Sequence, residues 1–263
     1  MRTGDYVRLI GDMATREMSV FEGMRRLRGT PGTKVSLTII RGNTNNPHVV
    51  ELTREAVSTV DVTNRIAASG VGLVRVAAFT SRTAAQARTA IADLTKSGAT
   101  KLIVDIRRTS GGSNEAGIAL ARLFVASGTL ARHEARGSEP RSIDAASGDG
   151  SVTAPVTILA DNGTSGAAEI FASALLGNKR AEIIGERTIG RAGEQKLVKL
   201  PDGTGLWLTN AKYLTPDGEP LHGKGLTPTV PVDVPDVEFG QAEPANDAIL
   251  DAALERLTEK KAA

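Results

Sequence analysis

The stretch that decides the fold is ILADNGTSGAAEIFASALLG, residues 158–177. Its apolar opening is typical of a strand that is buried on both faces of a sheet. A polar turn of small residues follows, and we predict an apolar helix that begins near Thr164 or Ser165. A strand that runs through a short turn into a helix is the repeating unit of α/β domains, whose ligand chemistry lies at the carboxyl ends of the strands.

The same strand-then-helix rhythm extends in both directions from this stretch. Strands are predicted in VGLVRVAAF, TKLIVDIR, APVTILAD and AEIIGE, and helices in TSRTAAQARTAIADLTKSG, NEAGIALARLFVASG and TSGAAEIFASALLGN. KLVKL, LWLTNAKYL and TPTVPVDV are predicted as further strands, linked by turns such as PDGTG and TPDGEP. EARGSEPRSIDAASGDGS, residues 134–151, is predicted to be a polar loop. The predicted fold class is α/β.

The composition is that of an ordinary globular protein. Of 263 residues, 40% are hydrophobic and 24% charged, and only 3% are aromatic. A net charge of +2, without aromatic residues among the basic ones, argues against nucleic acid as a partner. The absence of cysteine excludes disulfides, thiolate catalysis and cysteine-based zinc sites. We predict no metal site, no cofactor and no membrane span, since no stretch approaches ~20 apolar residues.

The first part of the chain is predicted to be a small β-α-β-β unit. DYVRLIG alternates like a strand, and SVFEGMRRLRG places Val20, Met24 and Leu27 on one face of a helix with Ser19 as its N-cap. The predicted domain limits are 1–55 for this subdomain, 56–70 for a connector, 71–235 for the α/β core and 236–263 for a tail helix.

The tail, EPANDAILDAALERLTEKKAA, is predicted to be an amphipathic helix. Its apolar face consists of Ile249, Leu250, Ala253, Leu254 and Leu257. Docking of this face on its own domain is the first interpretation, and formation of a homo-oligomer through the tail helix is the alternative.

DIRRTSGGSNEAG, residues 105–117, is the first segment that indicates chemistry. Gly111 and Gly112 lie between a buried strand and a helix, in what we call the two-glycine loop, residues 108–112. Glycines there expose backbone N–H groups, which can hold an anion or a developing oxyanion. An ordinary turn between strand and helix is the alternative.

Ser165 is the second such feature. At a helix start, its hydroxyl is either a nucleophile favoured by the positive end of the helix or simply an N-cap. His48, His133 and His222 are the histidines of the chain, and none lies in a sequence context that indicates a Ser-His-Asp triad. A lysine base is the other known arrangement for a serine nucleophile.

Taken together, these residues resemble the carboxyl-terminal processing (tail-specific) serine peptidases. GDYVRLIGDMATREMSVFEGMRRLRGTPGTKVSLTIIRG is similar to the second half of the PDZ domain of that family. KLIVDIRRTSGG resembles its Asp-Leu-Arg-x-Asn-x-Gly-Gly segment, and NGTSGAAEIFASALLGNKRAEIIGERTIGRAGEQ its nucleophile and base region. LPDGTGLWLTNAKYLTPDGEPLHGKGLTPTVPV resembles its closing hairpin. The resemblance implies a crotonase/ClpP-like core preceded by a partial PDZ-like subdomain, and a Ser-Lys dyad.

Both dyad positions depart from the family pattern. Anchored on Glu169, the position of the family's serine is Gly166, and the position of its lysine is Arg191. The family also has a glutamine four residues after its lysine, and this residue is kept here as Gln195. The oxyanion glycines of the family match Gly111 and Gly112, although Thr109 and Ser110 stand where the family has its asparagine and the following residue.

Several functions follow from this resemblance with its two departures. The first is an inactive or impaired peptidase homologue that binds polypeptides, since glycine has no nucleophile and arginine does not deprotonate. The alternative is an active serine endopeptidase with Ser165 as a shifted nucleophile and Lys196 or Lys199 as its base. A scaffold protein and an acyl-CoA enzyme of the crotonase type are the remaining candidates.

The role of Arg191 has two interpretations. Its guanidinium either pairs with Glu169 or Glu194 and fills the space of the lysine, or holds the carboxylate of a substrate. We expect the first of these roles, in which the guanidinium of Arg191 pairs with Glu169 or Glu194.

The resemblance also implies a partner and a compartment. The partner is a polypeptide, with unstructured C-terminal segments as the expected class, and the compartment is the cell envelope, the periplasm or the exterior. MRTGDYVRLIGDM shows no signal peptide. The half PDZ domain lacks the early carboxylate-binding loop and cannot form the usual peptide pocket.

Overall fold

The fold is described from a computed structural model that covers residues 1–42, 46–56, 60–201, 204–235, 237–242 and 244–259. The chain forms two compact units. The first contains residues 1–59 and 235–245, and the second contains residues 60–234 and 246–263. The tail predicted as one element, 236–263, is therefore divided between the units, because the ring of Phe239 stacks on that of His48 in the first unit, whereas the helix belongs to the second.

The first unit is a four-stranded antiparallel sheet with one α-helix. Its elements are β1 (Tyr6–Ile10), β2 (Met13–Ala14), a 3-10 turn (Thr15–Glu17), α1 (Val20–Leu27), β3 (Lys34–Ile40) and β4 (His48–Thr53). The sheet order is β2-β1-β3-β4. The expected strand, helix, strand, strand order is thus present, with the two-residue strand β2 added.

Helix α1 begins where its capping residue predicts. The hydroxyl of Ser19 accepts a hydrogen bond from the N–H of Glu22 at 3.1 Å. The predicted apolar face of α1, formed by Val20, Met24 and Leu27, is exposed. The buried core of this unit comes from the sheet alone and consists of Ile10, Leu37 and Ile39.

The second unit contains a six-stranded central sheet and a smaller antiparallel sheet. The central sheet has the order β14-β11-β10-β7-β6-β5. Its strands are β5 (Val62–Ala68), β6 (Val71–Val76), β7 (Lys101–Asp105), β10 (Val156–Ala160), β11 (Ala181–Gly185) and β14 (Val230–Pro231). All are parallel except β5, which pairs antiparallel with β6. The small sheet, in the order β12-β13-β8-β9, contains β8 (Thr129–Ala135), β9 (Arg141–Asp144), β12 (Gly193–Lys199) and β13 (Gly205–Leu214).

Helices cover both faces of the central sheet, as apolar strands require. They are α2 (Thr83–Lys96), α3 (Asn114–Ala121), α4 (Ala167–Gly177) and α5 (Ala248–Glu259). In β7, Leu102 and Val104 belong to the core under α2, α3 and α4, whereas Ile103 belongs to the core under α5. The alternation follows from the two-residue period of a strand. The predicted α/β class is confirmed, with the strands predicted from apolar runs in the middle of the sheet.

Two predictions about connecting segments are corrected by the structure. Residues 56–70, expected to be a connector, contain β5, and residues 134–151, expected to be a loop, contain the end of β8 and all of β9. Both β5 and β9 are edge strands. An edge strand needs only one partner and tolerates polar side chains, so its sequence is similar to that of a loop.

The tail helix α5 packs on its own domain. Ile249, Ala253 and Leu257 are buried against the sheet, with Leu250 and Leu254 partly buried beside them. Docking on the same domain, the first interpretation of this apolar face, is what the structure shows. The face on which the alternative, a homo-oligomer through the tail helix, depends is occupied by the sheet.

An ion pair fixes the start of α5. The guanidinium of Arg107 binds both Asp105, at the end of β7, and Asp247, just before α5, at 2.8 and 2.7 Å. Burial by itself lowers the pKa of Arg107, but the hydrogen bonds to the two carboxylates outweigh burial and raise it. Burial also pushes the pKa of Asp247 upward, and its bonds from Arg107 and the N–H of Leu250 outweigh that and lower it.

Truncation of a buried residue on α5 is expected to destabilise the domain. Ile249→Ala should lower the free energy of unfolding by about 2–4 kcal/mol, since it removes a buried side chain and leaves a cavity beneath the helix. Urea unfolding, followed by circular dichroism, measures the change. Asp251→Ala on the exposed side of α5 is the control, and an equal loss in both variants would show that the packing of Ile249 contributes nothing.

Candidate active site

The site lies where two neighbouring parallel strands end. Strand β7 leads into the two-glycine loop and α3, and β10 leads through the turn 161–166 into α4. Because β7 and β10 pair directly, their loops lie side by side. The N–H of Arg108 donates to Asp161 at 2.8 Å, and the N–H of Ser165 donates to the carbonyl of Thr109 at 3.0 Å. These bonds hold the two loops together.

Gly166 is the residue of the turn that faces the two-glycine loop. A Cβ atom added to Gly166 would lie 3.7 Å from the nitrogen of Gly111 and 3.8 Å from the carbonyl oxygen of Arg191, with nothing closer. Gly166 has φ 66° and ψ −121°, a conformation that glycine adopts freely and that is strained for other residues. A side chain here would fit in space and point at the N–H of Gly111.

Ser165 lies one residue earlier and has a different environment. It is buried, and its N–H rather than its hydroxyl joins the two-glycine loop. Within the part of the chain that the structure describes, no hydrogen bond to the Ser165 hydroxyl is found, from a lysine or any other residue. The helix begins at Ala167 with Gly166 as N-cap, so the start predicted near Thr164 or Ser165 is corrected. The cause is the carboxylate of Glu169, which accepts the N–H of Gly166.

The two glycines of the loop present unpaired donors. Gly111 and Gly112 have φ values of 79° and 92°, and both are exposed. Among described residues, neither backbone N–H has a hydrogen-bond acceptor. A Cβ on Gly112 would lie 2.5 Å from the carbonyl oxygen of Phe79, so only glycine fits there. The packing of Gly112 against Phe79 is compatible with an ordinary turn, and the two donors are available to a ligand.

Glu169 organises the backbone around Gly166. Its carboxylate is fully buried. It accepts hydrogen bonds from the backbone N–H groups of Gly166 at 2.9 Å, Gly190 at 2.6 Å and Arg191 at 2.8 Å. The hydroxyl of Thr188 is a fourth donor to the same carboxylate. These bonds fasten the segment that carries Arg191 to the start of α4. In the sequence, Glu169 only anchored the alignment of a motif, and this role was not predicted, although an acidic residue in the first turn of an apolar helix was a signal for it.

The side chain of Arg191 does not make the expected ion pair. Glu169 binds only the backbone N–H of Arg191, and Glu194 lies 3.3 Å from His133 instead. Arg191 is exposed, and no described residue forms an ion pair with its guanidinium. Gln195 is also exposed, in β12 opposite Thr209, and no described contact joins its side chain to Gly166.

Arg75 supports the two-glycine loop from the neighbouring strand β6. The guanidinium of Arg75 donates to the carbonyls of Val76 at 2.7 Å and Asp105 at 3.0 Å, and to the hydroxyl of Thr109 at 3.0 Å. That hydroxyl donates in turn to Val76 at 2.6 Å. Burial lowers the pKa of Arg75, and the carboxylate of Asp105 opposes the change. A lone arginine inside the apolar strand VGLVRV was the sequence signal for this contact.

Tyr213, in β13 beside this region, is expected to ionise unusually late. Burial raises its pKa to about 12, the carboxylates of Glu115 and Glu194 add to the effect, and Arg141 opposes it. Because the folded pKa exceeds the unfolded one, stability present below pH ~10 should be lost as the pH rises towards 12. Absorbance at the tyrosinate band in a Tyr6→Phe background measures this titration. A midpoint near pH ~10 would contradict it.

The described residues contain no group of three or more His, Asp or Glu side chains placed to hold a metal ion. In the same residues, no helix is long and apolar enough to cross a membrane. The site as built consists of the backbone donors of the two-glycine loop and an open space above Gly166, with the backbone carbonyl oxygen of Arg191 at its border.

Comparison with known proteins identifies the family. Residues 70–232 match the model of peptidase family S41. The chain belongs to this family. The carboxyl-terminal-processing protease of Synechocystis sp. (strain ATCC 27184 / PCC 6803 / Kazusa) is 34% identical over 258 residues, which cover 97% of this chain and 60% of that protein. The carboxy-terminal processing protease CtpA of Bacillus subtilis (strain 168) is 32% identical over 88% of this chain and 50% of its own length.

A solved structure agrees with the assignment to family S41. The photosystem II D1 C-terminal processing protease is 32% identical and superposes with a TM-score of 0.80, over 89% of this chain and 64% of that one. The predicted membership among carboxyl-terminal processing peptidases and the predicted fold class are therefore confirmed. The chain spans 60% and 50% of the lengths of the two relatives named above.

Proposed function

We propose that this chain is a catalytically degenerate member of family S41 that binds polypeptide chains. The observation that carries the proposal is the orientation of position 166. A side chain there would point at the nitrogen of Gly111, with the backbone carbonyl oxygen of Arg191 alongside, and the residue is a glycine. The donors that would stabilise an oxyanion are thus paired with a position that has no hydroxyl.

The chemistry of the two substitutions supports inactivity. Glycine offers no atom for acyl transfer, and a guanidinium stays protonated at all relevant pH values, so Arg191 cannot accept a proton. Removal of the serine from another serine peptidase costs on the order of 10⁶ in turnover. We therefore place the usual serine position at Gly166, the usual lysine position at Arg191 and the oxyanion donors at Gly111 and Gly112.

The alternative, an active endopeptidase with Ser165 as its nucleophile, has one observation in its favour. The Ser165 hydroxyl lies in the same turn and makes no hydrogen bond within the described residues. Against it, one residue on a helix corresponds to a rotation of about 100°. The Ser165 hydroxyl would then point away from the donors of Gly111 and Gly112, which could not stabilise an oxyanion formed by its attack. No described lysine contacts the Ser165 hydroxyl.

Two assays separate these functions. A fluorophosphonate probe, read by intact mass, reports an activated serine, and fluorescent casein reports cleavage. For the degenerate protein we expect no labelled serine and no cleavage above the buffer blank. Labelling or cleavage that disappears in Ser165→Ala would establish the alternative.

The finer assignments belong to the same proposal. Residues 1–55 form a partial PDZ-like subdomain, and the peptidase-like core that follows begins with β5. The ligand is an unstructured C-terminal segment of a polypeptide, and the compartment is the cell envelope or the periplasm. The names of the two relatives described above, both carboxyl-terminal processing proteases, support the ligand class.

A further inference from the structure

A cavity of about 280 Å³ lies on the central sheet, next to the edge strand β5. Its charged lining residues are Arg65 of β5, Arg75 of β6, and Asp105 and Arg107 at the end of β7. The strand register explains this grouping, because Thr63 pairs with Arg75 and Arg75 pairs with Asp105. Residues that pair across neighbouring strands lie on the same face of a sheet, and Arg65 follows two residues after Thr63 on that face. We call this space the arginine cavity.

Two of the charged lining residues already satisfy one another. The carboxylate of Asp105 accepts hydrogen bonds from the backbone N–H of Arg107 at 3.0 Å, from its Nε at 3.0 Å and from its Nη2 at 2.8 Å. The remaining nitrogen of that guanidinium, Nη1, donates to Asp247 at 2.7 Å. The oxygens of both carboxylates are thus bound to Arg107, and the counter-charges nearest to the cavity are taken.

The other two arginines keep donors without acceptors. Arg75 uses only its Nη1 for the three hydrogen bonds described above. Within the described residues its Nε and Nη2 have no acceptor, and the single buried side-chain atom without a partner there is Oδ1 of Asn210, so both nitrogens reach solvent. Arg65 is exposed, and no described residue accepts a hydrogen bond from its guanidinium. Two permanent cations therefore line the cavity with donors available to a ligand.

We propose that the arginine cavity binds a small oxyanion, a phosphate or carboxylate group, through the guanidinium groups of Arg65 and Arg75. The planar guanidinium fork matches the oxygen atoms of both groups, and hydrogen bonds between charged partners are about twice as strong as neutral ones. Three arginines against Asp105 and Asp247 leave one positive charge, which favours an anion. A molecule of liquid water takes about 30 Å³, so the cavity has room for an anion of several heavy atoms.

Arg75 connects the arginine cavity to the candidate active site. The same guanidinium donates through Nη1 to the hydroxyl of Thr109 in the two-glycine loop. An anion on its Nε and Nη2 would hold the guanidinium in the orientation that supports this loop. The site uses neither Gly166 nor Arg191, so it is independent of the proposed function and is expected in an active or an inactive protein alike.

Isothermal titration calorimetry tests the inference, with potassium phosphate and potassium acetate as separate ligands at neutral pH and at an ionic strength held constant with potassium chloride. We expect at least one of the two anions to bind with a Kd of about 1 mM or lower. The anion that binds more tightly identifies the source of the oxyanion. Arg65→Gln should weaken that binding by at least about tenfold, because it removes charged hydrogen bonds to the ligand.

Arg88→Gln is the matched control for that substitution. Arg88 is an exposed arginine on α2 that binds the hydroxyl of Ser151 at 3.2 Å and does not line the cavity. Its loss removes the same charge and should leave the affinity within about twofold of the wild type. Circular dichroism checks that both variants keep the fold. A Kd above about 1 mM for both anions, or an affinity reduced equally by the two substitutions or by neither, overturns the inference.

Discussion

The double variant Gly166→Ser/Arg191→Lys is expected to turn this protein into a working endopeptidase. A serine at position 166 would place its Cβ 3.7 Å from the N–H of Gly111, and a lysine at position 191 would supply a base that can lose its proton. We expect casein cleavage to rise by at least about 10³ over the wild type, a part of the roughly 10⁶ that a complete set of catalytic residues provides. Each single variant should stay near the wild-type level.

The backbone conformation at position 166 predicts a loss of stability in the double variant. A serine at φ 66° is strained, and we expect a stability loss of about 1–3 kcal/mol that leaves the domain folded. Ser165→Ala added to the double variant should leave the gain intact, since the new hydroxyl is the one that faces Gly111. A folded double variant that a fluorophosphonate does not label would show that position 166 is not the nucleophile position.

The largest expected loss of stability is that of Glu169→Gln. The buried carboxylate accepts three backbone N–H groups and the Thr188 hydroxyl, whereas an amide has a single acceptor atom and turns its NH₂ group towards donors. Each buried donor left without an acceptor costs about 1–3 kcal/mol. We expect the free energy of unfolding to fall by about 3–5 kcal/mol, measured by urea unfolding.

Glu194→Gln is the matched control for that measurement. Glu194 is exposed, and among the residues that the structure describes its carboxylate pairs with His133 alone, at 3.3 Å, so its substitution should change the stability by less than about 1 kcal/mol. A loss for Glu169→Gln no larger than that of the control would mean that the carboxylate does not organise the turn. The Arg191 segment would then be held by other contacts.

The interior of the molecule was predictable because burial dictates its pattern. The apolar runs that became β6, β7, β10 and β11 could not be solvated and had to form the middle of a sheet, and the amphipathic tail had to dock. The edge strands β5 and β9 were missed because an edge strand meets few constraints that are visible in sequence. The helix start at Ala167 was missed because the deciding carboxylate comes two residues later, at Glu169.

The sequence by itself determined the α/β class, the family and the two exchanges at positions 166 and 191, because these depend on apolar periodicity and on residue identity. Only the tertiary structure decided which way position 166 points, that Glu169 binds backbone rather than the Arg191 side chain, and that the donors of Gly111 and Gly112 are left free. Those facts depend on how two loops from neighbouring strands meet. Distances between residues far apart in the chain are set by packing, which no local pattern encodes.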